Sequence, residues 1–182
     1  KKYSPSYPGF WYNTPNNPTL PIQVMIITQS HGGGISWPNK NDLKMAIKDI
    51  YDYHKNKPIE KFFQYNIRKI IDFLDNSNIK WFVTDLVKCY VFKNNSKKKS
   101  GNGNNFKEAI KFCKPYLLKQ IEVLKPKVII AFGKDVKNSL KEINEKDKIL
   151  YYTFPSPKNA DRWVSRGGYE KVVKDIKREI DR

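Results

Sequence analysis

Alternation constrains this chain more than any other feature. Four short apolar runs, Ile22 to Ile27, Trp81 to Thr84, Val128 to Phe132 and Ile149 to Tyr152, are separated by stretches with a different rhythm. In those stretches apolar residues recur at three and four: Leu43, Ile47 and Ile50; Phe63, Ile67, Ile70, Ile71 and Leu74; Ile110, Tyr116, Leu117, Leu118, Ile121 and Leu124. Val136 to Ile143 and Tyr169 to Ile180 complete the set. The continuous runs suit strands buried on both faces, and the three-four spacing suits helices with one apolar stripe. Strands alternating with helices predict an α/β fold, a three-layer α/β/α arrangement around a central four-stranded parallel sheet. In such sheets ligands sit beyond the carboxyl ends of the strands. Four loops therefore matter: Thr28 to Pro38, Asp85 to Asn95, Gly133 to Asp135, and Thr153 to Gly168.

The 182 residues fit a single domain spanning 1–182, large enough to bury a core. Residues 1–21, rich in Pro, Asn and Tyr, read as an irregular N-terminal arm whose Tyr3, Tyr7, Phe10, Trp11 and Tyr12 pack on the body. No apolar run approaches the ~20 residues of a membrane span. Cys89 and Cys113 are too few for a disulfide scaffold and suit a reducing compartment, so a cytoplasmic protein without a membrane partner is expected, most simply a monomer.

Charge supplies the first functional hint. Against 18 acidic residues stand 35 basic ones, a formal net charge of +17, and such a field attracts polyanions. All but Arg68, Arg162, Arg166, Arg178 and Arg182 are Lys, which serves phosphate contacts as a point charge. A surface solvated for solubility is the competing reading. The insertion Lys93 to Asn105 reads as a flexible basic loop, either plainly solvated or in contact with nucleic acid.

Five segments fall at strand ends or on the helix between them: Ile26-Ile-Thr-Gln-Ser-His-Gly32, Thr84-Asp-Leu-Val-Lys-Cys89, Phe112-Cys-Lys-Pro-Tyr-Leu-Leu118, Pro126-Lys-Val-Ile-Ile-Ala-Phe-Gly-Lys134 and Thr153-Phe-Pro-Ser-Pro157. Together, in order and spacing, they resemble the uracil-DNA glycosylase superfamily, with the nearest pattern in its iron-sulfur branch. The resemblance implies an enzyme that flips a nucleotide out of DNA and hydrolyses its glycosidic bond, leaving an abasic site.

It also implies roles for particular residues. Thr28 to Gly32 matches a water-activating motif that reads Gly-Gln-Asp-Pro-Tyr in one branch and Gly-Glu-Ala-Pro-Gly in another. Gln29 then takes the Gln or Glu position, Ser30 falls where a catalytic Asp or Asn sits, and His31 replaces the Pro. Neither Gln29 nor Ser30 is a strong base, so catalysis would lean on a held water and a stabilised leaving group. His31 either helps hold that water or is a loop His satisfied by backbone. Thr153 to Pro157 matches a His-Pro-Ser-Pro signature, with Phe154 in place of the His that donates to the departing base. Ser156, with Lys134, Lys158, Arg162 and Arg166, would hold the DNA backbone.

Asp85 stands where uracil-specific members carry Asn. An ionised carboxylate only accepts, so it disfavours the carbonyl at carbon 4 of uracil and suits the 4-amino group of cytosine. A capping role or an ion pair with Lys88 is the bland alternative. Gly32 replaces a Tyr that walls off carbon 5 of the base, and Gly33 follows, so a substituent there has room, though a tight turn also uses such a run. Trp37 is the candidate for stacking on the base, with core packing as its alternative. These departures point to a cytosine bulky at carbon 5, such as the hydroxymethyl or glucosylated cytosines of phage DNA, and to a monofunctional glycosylase serving phage defence. A conventional uracil glycosylase of DNA repair, or a non-catalytic nucleic-acid-binding module, are the alternatives.

Cys89 and Cys113 match two of the four cluster ligands of the iron-sulfur branch. The other pair, expected before the first strand, is absent from residues 1–21. Two thiolates cannot hold a four-iron cluster. No cofactor is therefore expected, unless a Cys pair precedes Lys1.

Overall fold

The computed structural model describes residues 3–5, 11–12, 21–30, 62–87, 89–91, 104–141, 143 and 148–182. Among these, the strands are β1 (Tyr3–Pro5), β2 (Trp11–Tyr12), β3 (Val24–Ser30), β4 (Trp81–Val87), β5 (Cys89–Val91), β6 (Val128–Phe132) and β7 (Ile149–Tyr152). The helices are α1 (Phe62–Asn76), α2 (Asn104–Leu124), α3 (Lys134–Ser139), α4 (Ala160–Ser165) and α5 (Gly168–Asp181), with a 3₁₀ turn at Pro157–Asn159.

The main sheet has the order β2-β4-β3-β6-β7. Its last four strands are mutually parallel, as the apolar runs predicted, with Val24 paired to both Trp81 and Val128. Both faces are covered. On one, Val24, Ile26, Val83, Ile130 and Phe132 meet Ile70 and Leu74 of α1, Trp163 of α4, and Val172 and Ile176 of α5. On the other, Met25, Ile27, Phe82, Ile129 and Ala131 meet Ala109, Cys113 and Leu117 of α2 and Val136 of α3. The chain is thus the expected three-layer α/β/α fold. Burying each large side chain contributes roughly 1.5–3 kcal/mol, which is why strands with no wet face read as unbroken apolar runs.

Several boundaries differ from expectation, each for a physical reason. The arm is not irregular throughout: Tyr3–Pro5 pairs antiparallel with β5, and Trp11–Tyr12 adds a two-residue antiparallel edge to β4. Strands this short carry no readable period, because cross-strand hydrogen bonds rather than local pattern define them. Thr28, Gln29 and Ser30 lie within β3 rather than in a loop, and Asp85 lies within β4, because the parallel ladder continues through Thr28 opposite Asp85 and Ser30 opposite Val87. The helix expected over Val136 to Ile143 is Lys134–Ser139, capped by Leu140. The helical spacing of Leu43, Ile47 and Ile50, and the basic stretch 93–103, lie outside the described residues.

Candidate active site

Parallel register carries Thr28 and Asp85 side by side at the carboxyl ends of β3 and β4. Period-two alternation puts Asp85 on the same sheet face as Trp81 and Val83, and Thr28 on the face of Val24 and Ile26. That is one and the same face. The Thr28 hydroxyl donates to Oδ1 of Asp85, and both side chains are buried, each 5 % exposed. Thr28 was not singled out from the sequence. Its partner is 57 positions away, and only the strand register joins them.

Gln29 points to the opposite face, and its Nε2 donates to Oδ2 of Asp135 at 2.7 Å. Asp135 sits in the first turn of α3, just beyond β6. The turn between β6 and α3 depends on Gly133, whose φ of +97° is one that L side chains rarely adopt. The Gly133 amide donates to the Tyr152 carbonyl at 2.9 Å, tying the end of β6 to β7. Ser139 Oγ donates back to the Asp135 carbonyl at 2.9 Å, fixing this first turn. Sequence reasoning missed Asp135 as well, since nothing local marks it as the anchor of Gln29.

The segment after β7 is braced by Asn159. Its Nδ2 donates to the Phe154 carbonyl at 3.2 Å and to Ser156 Oγ at 3.1 Å. The ring of Phe154 packs against the core cluster containing Phe132 and Trp163. Trp163 Nε1 donates to the buried Oδ1 of Asn66 on α1 at 3.1 Å, which locks α4 to the body. From this braced frame Lys158 and Arg162 project exposed, Lys134 projects from α3, and Arg166 donates to Thr153 Oγ1 at 3.4 Å. Among the described residues Lys134, Lys158, Arg162 and Arg166 make no ion pair.

The structure thus brings Gln29 and Asp85 to adjacent strand ends, on opposite faces of the sheet, with Phe154 and the basic residues on segments that follow β6 and β7. Ser30 closes β3, with its side chain outside the described residues, as are His31, Gly32, Gly33, Trp37 and Lys88. A cavity of about 500 Å³ lies elsewhere, beside β7, lined by Tyr152, Trp163, Arg166, Lys171 and Asp175 among others. It includes neither Gln29, Asp85 nor Asp135, so chemistry rather than volume locates the site.

A family model described as the Uracil DNA glycosylase superfamily matches residues 36–177, most of the chain. The chain belongs to this superfamily. Glycosylase chemistry on DNA is accordingly its general activity, and the strand-end residues above occupy the part of an α/β sheet where ligands collect. No curated protein matches the chain. No helix among the described residues is long and apolar enough to cross a membrane.

By resemblance, Cys89 and Cys113 match two of the four cluster ligands of an iron-sulfur branch of the superfamily. Cys113 is 1 % exposed inside the apolar cluster under α2, and this chain supplies only one other cysteine, Cys89. Two thiolates do not make the four-thiolate set that such a cluster needs.

Proposed function

We propose that this glycosylase excises a cytosine carrying a bulky group at carbon 5, of the hydroxymethyl or glucosyl-hydroxymethyl kind found in phage DNA. The observation that carries the reading is Asp85. It is a buried carboxylate at a strand end, held by a hydroxyl that donates to it. A carboxylate used as an acceptor favours a base edge that offers an N–H, and the 4-amino group of cytosine does so where uracil presents a carbonyl. In sequence, Gly32 and Gly33 stand where a Tyr would wall off carbon 5, and Trp37 is the candidate for the stacking ring.

Hydrolysis places a water oxygen on the sugar carbon and releases the base with the electrons of the broken bond, and the proton lost by the water ends on the departing base. Gln29 donates its amide to Asp135, and its carbonyl oxygen is the acceptor assigned to such a water, with Ser30 and His31 beside it in sequence. With no strong base at Ser30, the rate rests on leaving-group stabilisation and a positioned water. The reading is of a monofunctional enzyme, one that leaves an abasic site without strand cleavage. Phe154 packs against the base, while Lys134, Ser156, Lys158, Arg162 and Arg166 hold the strand. The reading is of a cytoplasmic monomer that serves defence against phage DNA and uses no cofactor unless a Cys pair precedes Lys1.

The test is a panel of duplexes carrying uracil, cytosine, hydroxymethylcytosine or glucosylated hydroxymethylcytosine, followed by alkaline cleavage at abasic sites. Cleavage confined to the modified cytosines is the expected result. Cleavage at uracil alone overturns the reading in favour of a repair glycosylase, and binding without cleavage points to a non-catalytic module. Asp85→Asn should move relative kcat/KM toward uracil by about 1–3 kcal/mol, the discrimination carried by a good base-edge contact.

A further inference from the structure

Thr28 and Asp85 are buried together on one sheet face and joined by a hydrogen bond between neighbouring strands. We infer that Thr28 is a specificity-determining positioning residue, which acts on the base through Asp85. This deepens the proposed function and rests on Asp85 as the group that reads the base edge.

The physical case begins with freedom of rotation. A terminal carboxylate turns easily about its last bond, so its acceptor directions are set by whatever holds it. Thr28 is β-branched, within a parallel ladder, and buried, which restricts its own χ1. Its hydroxyl is therefore a fixed donor rather than a wandering one. Donating to Oδ1, it orients the whole carboxylate group, and with it the acceptor directions of Oδ2.

The same hydroxyl sets what an amide would do at position 85. If Thr28 donates to the amide oxygen of Asp85→Asn, the NH2 group takes the place of Oδ2 and becomes a donor, which suits uracil. Without the hydroxyl the amide loses that bias toward presenting its NH2 group. Thr28 thus sharpens discrimination in both backgrounds, in opposite directions. Simple packing would not do this.

The experiment measures discrimination, the ratio of kcat/KM for modified-cytosine and uracil duplexes. Where turnover is too slow, the ratio of Kd values is used. Both members of each ratio come from one protein sample, so the folded fraction cancels. Thr28→Val keeps the shape and removes the hydroxyl, and should reduce the wild-type preference about tenfold, the scale of a hydrogen bond to a charged group. Thr28→Ser restores the hydroxyl and should restore the preference to within about twofold. The double variant Thr28→Val with Asp85→Asn should prefer uracil less sharply than Asp85→Asn alone. This comparison also stands if Thr28→Val by itself does not fold, because losing a donor costs a neutral amide less than it costs a carboxylate. If the wild type favours modified cytosine and Thr28→Val discriminates equally well, Thr28 is a packing residue and the inference fails while the substrate reading stands. A wild type that favours uracil overturns both.

Discussion

Asp85 and Asp175 are equally buried, each 5 % exposed, and different kinds of donor hold them. Asp175, on α5, accepts from Tyr152 Oη at 2.7 Å and from Lys171 Nζ at 2.9 Å, with Arg178 Nη1 3.2 Å away. Glu179 continues the pattern by pairing with both Arg178 and Arg182. Burial alone would raise the pKa of Asp175, but hydrogen bonds from Lys171 and Tyr152 and the charges of Lys171 and Arg178 outweigh it, holding the carboxyl below its usual range. Tyr152 shows the complement, its phenol pushed up by burial and by the hydrogen bond to Asp175. Asp85 accepts from a neutral hydroxyl on the next strand. A carboxylate that fastens a helix to a sheet is answered by cations from its own helix. By the proposed reading, Asp85 is instead oriented by a hydroxyl so that its acceptor capacity serves a ligand.

If that contrast is right, removing the two carboxylates has separable consequences. Asp175→Ala should cost about 2–3 kcal/mol of stability, because it takes away charge-assisted hydrogen bonds and leaves the half-buried Tyr152 hydroxyl without its acceptor. Base discrimination should not change. Asp85→Asn should do the reverse, costing under about 1 kcal/mol in stability because an amide of the same shape can still accept from Thr28. Urea midpoints alongside cleavage ratios measure both. Equal stability losses would dissolve the distinction between a fastening and a reading carboxylate.

Acid sharpens the same contrast more gently. The folded-state pKa of Asp175 is depressed, so the unfolded chain takes up its proton first as pH falls. The stability contributed by Asp175 is therefore fully present above the ordinary carboxylate pKa of about 3.9 and is lost as pH drops through the lower folded value. Between about pH 5 and pH 3 the wild-type unfolding free energy should fall with a steeper slope than that of Asp175→Asn. Superimposable slopes would show that the Lys171 and Arg178 contacts do not hold in solution.

The sequence showed the reading carboxylate more clearly than the fastening one. Asp85 stood out because it holds a position where uracil-specific members carry Asn, whereas Asp175 resembles any acidic residue on an exposed helix until Tyr152 is seen beneath it. The sheet itself was legible because β3 and β6 are buried on both faces and leave unbroken apolar runs. Helix α4 was not, since only Trp163 of its six residues is buried and no period can form. The partners of the site were hidden for a different reason. Thr28 reaches Asp85 across 57 positions and Gln29 reaches Asp135 across 106, and neither separation is set by local pattern. The one local signal was Thr28 itself, at a position where the resembled motifs carry Gly.

The comparison extends to the cations. Lys171 already serves Asp175, while Lys158 and Arg162 project from the segment after β7 without an ion pair among the described residues. A cation that is internally paired releases little when DNA arrives, because its charge is already answered. An unpaired one displaces a condensed counterion from a phosphate, and each such contact adds about 0.9 to the slope of log K against log salt. Lys158→Ala and Arg162→Ala should therefore each lower that slope by roughly one while weakening binding to modified and unmodified duplexes alike. Lys171→Ala should leave the slope nearly unchanged and act on stability instead. A salt titration of duplex binding by fluorescence anisotropy separates the two classes. If Lys171→Ala lowers the slope as much as Lys158→Ala does, α5 is part of the DNA-binding face and the division between fastening and binding charges fails there.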